Sequence, residues 1–198
     1  MPTKIILIRH GETLWNLRKR YCGFIDASLN NKGKSQAAYL RSKLKGEKVH
    51  KVYSSDRKRA IQTAKIIFKD LEIEKIPDLR EMHFGVFEGL THREITKKYP
   101  GIYKKWLDEP FSVLIPAAED LNSFKRRVVS VFKKIILLNH NKTIAVVCHG
   151  GTIGMFICNI LKTKDFWKYM PSSGSLSIVE YKDGKSKIRL LNDVSHLS

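Results

Sequence analysis

Two His-Gly steps carry the residues best suited to chemistry in this chain. Arg9-His10-Gly11-Glu12-Thr13 closes one aliphatic run, and His149-Gly150-Gly151-Thr152 closes another. Histidine can exchange a proton or attack as a nucleophile near neutral pH. Arginine presents a fork of donors that matches two phosphate oxygens at once. Arg9 stands beside His10, and Arg57 and Arg59 follow Ser54-Ser55. Other phosphate and metal chemistries lack their residues. Gly33-Lys34-Ser35 ends like a P-loop, but the first glycine of that pattern would fall at position 28, which is Ser28. Six residues on from Cys22, Cys148 and Cys158 stand Ser28, Gly154 and Lys164, so no CxxxxxR phosphatase loop is present. No cluster has zinc spacing and no acidic pair resembles a magnesium site. What remains is a metal-free phosphate pocket built on His and Arg.

The elements that must position these groups alternate between strand and helix. Residues 4–8 and 143–148 are continuous β-branched and aliphatic runs, as expected of parallel strands buried on both faces, and 51–54 is a shorter third. Helical patterns cover 31–45, 57–69, 119–138 and 150–161, and residues 175–181 and 186–191 form a hairpin around Asp183-Gly184. This alternation predicts a doubly wound α/β sheet. Ligands of such sheets bind outside the carboxyl ends of the strands, where both His-Gly steps fall. Glycine after each histidine is expected to let the backbone approach a ligand closely. The proline-punctuated segment 78–118 reads as an irregular, short-helical cap.

Composition bounds the function classes. The 198 residues fit a single domain, 1–198, with 78–118 as its cap-like insertion. Lys and Arg total 37 against 19 Asp and Glu, a formal charge of +18 that suggests an anionic partner. The excess is uneven: residues 70–94 hold 7 acidic and 3 basic side chains, an acidic island in a basic chain. The lysines are scattered in pairs over several elements instead of forming a stripe with aromatics, which argues against nucleic acid as partner. No run approaches the ~20 apolar residues of a membrane span. Three cysteines with no CxxC pair suggest reduced thiols and a cytoplasmic location. Arg9 and His10 interrupt the first apolar run before it can serve as a secretory signal.

With these residues in place, a family resemblance emerges. RHGET at 9–13, Asn16, Cys22-Gly23 with Asp26 and Leu29, Gly33 with Gln36-Ala37, SSDRKRAIQTA at 54–64 and VVCHGG at 146–151 resemble, in order, the histidine phosphatase superfamily that includes the cofactor-dependent phosphoglycerate mutases. Residues 79–89, Tyr99-Pro100 and Trp106 are most similar to its small phosphatase branch, with the α-ribazole and metal-independent phosphoserine phosphatases. The resemblance implies a three-layer α/β/α sandwich with a mostly parallel central sheet, a phosphohistidine intermediate, and neither metal nor cofactor. The implied partner is a small phosphorylated substrate, acted on by a monomer or homodimer.

The resemblance also distributes roles. His10 would be the nucleophile, with His149, Arg9 and Arg59 around the phosphoryl group. Asn16, Cys22, Gly23 and the Gly150 N–H at a helix start would line the substrate. Glu81 would be the general acid and base, ahead of Glu12 and Glu88. Arg59 matches the S-x-x-x-R-A spacing, and Arg57, two residues earlier, is expected on the solvated face because positions two apart on a helix point ~200° apart. His83 and His92 are read as loop histidines, and Phe84, Phe87 and Trp106 as either a wall for the leaving group or core.

The chain is short for a mutase insertion, and Trp106-Leu107-Asp108-Glu109-Pro110 stands where that insertion would be basic. Hydrolysis is therefore expected, with α-ribazole 5′-phosphate as first substrate. Phosphoserine or a broad range of small phosphoesters is the alternative, a phosphoglycerate mutase the second, and a non-catalytic nucleic-acid-binding protein the remote one. At 118–120 the small phosphatases commonly show Gly-Glu-Ser, and this chain has Ala118-Glu119-Asp120, whose aspartate can still cap a helix.

Overall fold

The computed structural model describes residues 1–197. Among these, six strands form one sheet: β1 (Thr3–Arg9), β2 (Lys51–Ser54), β3 (Ile73–Lys75), β4 (Thr143–Cys148), β5 (Leu176–Lys182) and β6 (Lys185–Asp193), in the spatial order β3-β2-β4-β1-β5-β6. The first four are mutually parallel, and β5 runs antiparallel between β1 and β6. Asp183 and Gly184 both take positive φ, 50° and 77°, the conformation a two-residue hairpin requires. The three-residue edge strand β3 has no counterpart in the sequence reading, because Ile73-Glu74-Lys75 is too short and too charged to stand out from the acidic island.

The aliphatic runs are two-sided, as parallel strands must be. Ile6, Ile8, Val52, Ala145 and Val147 face α2 (Asn31–Lys43) and α3 (Lys58–Ile67), while Ile5, Leu7, Tyr53, Ile144 and Val146 face α6 (Leu121–Leu137) and α7 (Gly150–Leu161). This is the three-layer α/β/α arrangement with a mostly parallel sheet. Asn30 caps α2 through the Gly33 N–H at 2.8 Å, and Asp120 caps α6 through the N–H groups of Asn122 and Ser123 at 3.1 and 2.9 Å. The helix ends lie within two residues of expectation.

The segment 77–118 holds two short 3-10 turns, Pro77–Leu79 and Gly85–Phe87, then α4 (His92–Lys98) and α5 (Pro100–Asp108). It packs on the α6 and α7 side of the sheet. Phe87 and Trp106 are fully buried and meet each other and the rings of Tyr21, Tyr103 and Phe84 at 5.4–6.4 Å between ring centroids. Of the two readings for these aromatics, core is what the fold makes of them, since a ring cluster excludes more water than one wall would.

The α6–α7 seam is sealed by Phe132 stacked on Phe156, with ring centroids 3.9 Å apart. Phe132→Ala should lower unfolding free energy by about 3–5 kcal/mol. Equilibrium urea unfolding checks this, and a loss under about 1 kcal/mol would show that the seam does not carry that weight.

Candidate active site

Three adjacent parallel strands deliver the site. β1 ends at His10, whose N–H bonds the Cys148 carbonyl of β4 at 3.0 Å, and β2 ends at Ser55, whose N–H bonds the Val147 carbonyl at 3.0 Å. His149 then caps α7 in an extended conformation. The two histidines thus arrive side by side, with ring centroids 5.2 Å apart and planes at 65°.

Their tautomers follow from their partners. His10 Nδ1 lies 2.8 Å from the Gly11 carbonyl, which can only accept, so Nδ1 carries the proton and Nε2 keeps its lone pair. Arg59 Nε donates to His149 Nδ1 at 3.2 Å, so the other ring nitrogen of His149 carries the proton and donates to Ser55 Oγ at 2.8 Å. Burial, then the charges of Arg59 and Arg9, hold His10 well below its usual 6.5. Burial, then Arg59, does the same for His149. Both rings are therefore neutral at neutral pH.

Arg59 is only 1% exposed. Its guanidinium donates to the carbonyls of Ile25, Cys22 and Gly23 at 2.9, 3.3 and 2.7 Å. Cys22 and Gly23 therefore serve the site through carbonyl oxygens that anchor an arginine, and the thiol is pushed up by burial, away from thiolate. Arg9 donates to the Pro171 carbonyl, and its buried Nε has no partner among the described residues. Asn16 Oδ1 accepts from the N–H and hydroxyl of Thr13 at 3.0 and 2.9 Å, which orients its amide. Arg9 and Asn16 line a cavity of about 650 Å³ rimmed by Lys19, Arg20 and Lys32.

Glu81 is buried, and its carboxylate accepts the N–H of Gly151 at 2.8 Å and of Met82 at 3.0 Å. Burial raises its pKa from 4.5, against the pull of those two bonds and of Arg9 and Arg59. The Gly151 N–H, next to the Gly150 N–H expected to line the substrate, is thus held by a carboxylate of the chain itself. Gly150 keeps its place in the first turn, packed against the Arg9 guanidinium. A Cβ at Gly151 would lie 2.3 Å from Glu81 Oε1, so any side chain there would push the carboxylate aside. Gly11 differs from expectation: its missing Cβ makes room for Gly33 at the start of α2, whose carbonyl would lie 2.4 Å away, so the constraint is chain against chain and not chain against ligand.

The other weighed carboxylates hold neighbouring segments in place, and Glu12 also lines the cavity beside Arg9 and Asn16. Glu88 accepts the N–H groups of Phe24, Ile25 and Phe84 at 2.8, 3.0 and 3.3 Å, and Glu12 accepts from Asn30 at 2.8 Å. His83 meets the Phe24 ring edge-on at 4.8 Å, and His92 starts α4 with Nδ1 2.9 Å from the Tyr103 hydroxyl. Arg57 departs from expectation. It is the extended N-cap of α3, not a helical residue, so the 200° separation does not apply, and it lies half-buried over the Phe24 ring at 5.1 Å. Two supporting residues are invisible to sequence reasoning. Ser55 holds His149, and Arg127 of α6 donates to the carbonyls of Asp78, Arg80 and Glu81 at 2.7, 3.0 and 3.3 Å while paired with Glu119 at 2.6 Å. Only the Ser-Ser step at the end of β2 signalled the first, and nothing local signalled the second. Among the described residues, no group of three His, Cys, Asp or Glu could hold a metal ion, and no helix is long and apolar enough to cross a membrane.

Comparison with known proteins places this arrangement. Residues 5–194 match the model of the histidine phosphatase superfamily (branch 1). The chain is 32% identical to phosphoserine phosphatase 1 of Hydrogenobacter thermophilus over 98% of its length and 94% of that protein. It is 28% identical to the adenosylcobalamin/α-ribazole phosphatase of Escherichia coli, over 96% of this chain and 95% of that one. It is similar in structure to the phosphoserine phosphatase of Entamoeba histolytica crystallised with 3-phosphoglyceric acid, with a TM-score of 0.91, 30% identity, and coverage of 99% and 100%.

The buried rings make a titration prediction. The unfolded chain takes up protons near pH 6.5 that neutral His10 and His149 refuse in the fold. Stability should therefore fall as pH drops below about 6.5, toward the lowered folded-state values. In a proton NMR titration the ring signals of His10 and His149 should not move between pH 8 and pH 6, and a midpoint near 6.5 for either would contradict this electrostatic picture.

Proposed function

The chain belongs to the histidine phosphatase superfamily, and from that premise we propose that it hydrolyses a small phosphomonoester through a phosphohistidine on His10. One observation carries the reading: a neutral His10 with its Nε2 lone pair free, held in a buried pocket with Arg9 and Arg59. Residues 1–198 would act as one domain, with 78–118 as its cap.

In the first step Nε2 of His10 attacks phosphorus and the P–O bond to the alcohol breaks. Glu81, its pKa raised by burial, gives its proton to the departing alkoxide. Arg9 and Arg59 stabilise the charge spread over the equatorial oxygens, the Asn16 amide adds a neutral polar contact, and His149, engaged through both ring nitrogens, holds Arg59 in place. In the second step the Glu81 carboxylate takes a proton from water, the water oxygen attacks phosphorus, and the P–N bond breaks. His10 returns to its neutral tautomer with inorganic phosphate as product. No step calls on a metal.

Among substrates, O-phosphoserine is supported by the two phosphoserine phosphatases to which the chain is 32% and 30% identical. α-Ribazole 5′-phosphate is supported by the relative at 28%. Comparison of kcat/KM on the two esters discriminates them.

His10→Ala should abolish turnover of every phosphomonoester, and EDTA should leave the wild type active; turnover surviving in that variant would remove the mechanism. Gly151→Ala should push the Glu81 carboxylate off the start of α7 and lower kcat by about 10–100-fold. Wild-type kcat in a folded Gly151→Ala protein would show that the position of Glu81 does not matter to the rate.

A further inference from the structure

Arg57, at the start of α3 beside Ser55 and Phe24, is an arginine that the reaction above leaves unused. Its neighbours are fully engaged. Arg80 is paired with Asp56 through two hydrogen bonds, one of them 2.7 Å, and also lies 5.4 Å from the Phe24 ring centroid. Asp26 accepts the Lys58 N–H at 2.8 Å. Arg57 has a buried Nε without a partner and no ion pair with any carboxylate of the described residues. Asp56, the carboxylate that feels the charge of Arg57, is already paired with Arg80, so the Arg57 guanidinium rests on the Phe24 ring face with its Nε unpartnered, and a ligand anion would give it a hydrogen-bonding partner.

The platform under Arg57 is firmly placed. Phe24 follows Gly23, whose carbonyl holds Arg59 at 2.7 Å, and the Phe24 N–H is fixed by Glu88 at 2.8 Å. The Arg57 N–H donates to Ser55 Oγ at 3.4 Å, the same hydroxyl that holds His149, so the start of α3 lies beside the pocket. Resting on phosphoester hydrolysis at His10, we propose that Arg57, seated on the Phe24 ring, binds a carboxylate on the alcohol half of the substrate. The chain then selects phosphomonoesters of carboxylate-bearing alcohols. A guanidinium matches a carboxylate bidentately, and Phe24 fixes the plane in which it does so.

Two pairs of esters isolate that carboxylate: O-phosphoserine against O-phosphoethanolamine, and 3-phosphoglycerate against glycerol 3-phosphate. In the wild type the carboxylate-bearing member of each pair should have the higher kcat/KM, by about tenfold or more, chiefly through KM. Arg57→Leu should bring each ratio within about twofold of unity, and Arg57→Lys should keep an intermediate value because it retains charge without the fork. Wild-type ratios near unity, or ratios unchanged in Arg57→Leu, would overturn the assignment. These failures are distinct from failure of the hydrolase reading, which would appear as no turnover of the four esters and of p-nitrophenyl phosphate alike.

Discussion

Two arginines buried with a single carboxylate set the terms for the rest of the molecule. Arg9 and Arg59 have both lost water, and Glu81 is the one acidic group whose charge acts on both. An unpaired buried charge is costly, so the fold turns backbone carbonyls toward these cations. Cys22, Gly23 and Ile25 converge on Arg59, and Pro171 on Arg9. The loop at 22–25 can do this only while Glu88 holds the N–H groups of Phe24 and Ile25 from the other direction. Burial and then the excess of positive charge keep both histidines neutral, and that excess leaves an anion as the natural occupant. The path of two loops and the chemistry of the ligand descend from that imbalance.

The proposed acid/base group is positioned by the same kind of long-range closure. Glu81 is tied at its carboxylate to the first turn of α7 and at its carbonyl to Arg127 of α6. Both helices lie on the side of the sheet where the cap packs. The acidic island, read first as a local exception to a basic chain, thus supplies one carboxylate to the pocket and several to the surface.

Much of the frame was legible. Aliphatic runs at 4–8 and 143–148 announced two-sided strands because burial on both faces leaves no room for polar alternation. Asp183-Gly184 announced a hairpin because both residues tolerate positive φ, and Asp120 kept its capping role beside Ala118. β3 was not legible, since three residues at a sheet edge make no pattern. Arg57 was misplaced because a rule for helical residues was applied to a cap, whose extended backbone turns the side chain elsewhere. Phe84, Phe87 and Trp106 were ambiguous because an aromatic on a cap can face ligand or core, and only the neighbouring rings decide.

By itself the sequence determined the chemistry available: which side chains are present, in what order, and that His10 and His149 stand just past buried strands. Those are local properties, carried by residue type and by hydrophobic runs of a few residues. The tertiary structure decided what the chemistry can do. How Arg59 is held in the pocket, which nitrogen of His149 holds its proton, and where Glu81 points depend on contacts between residues 90 and 70 positions apart. Desolvation and charge pairing exist only once those residues meet, so no reading of neighbours along the chain could have fixed them.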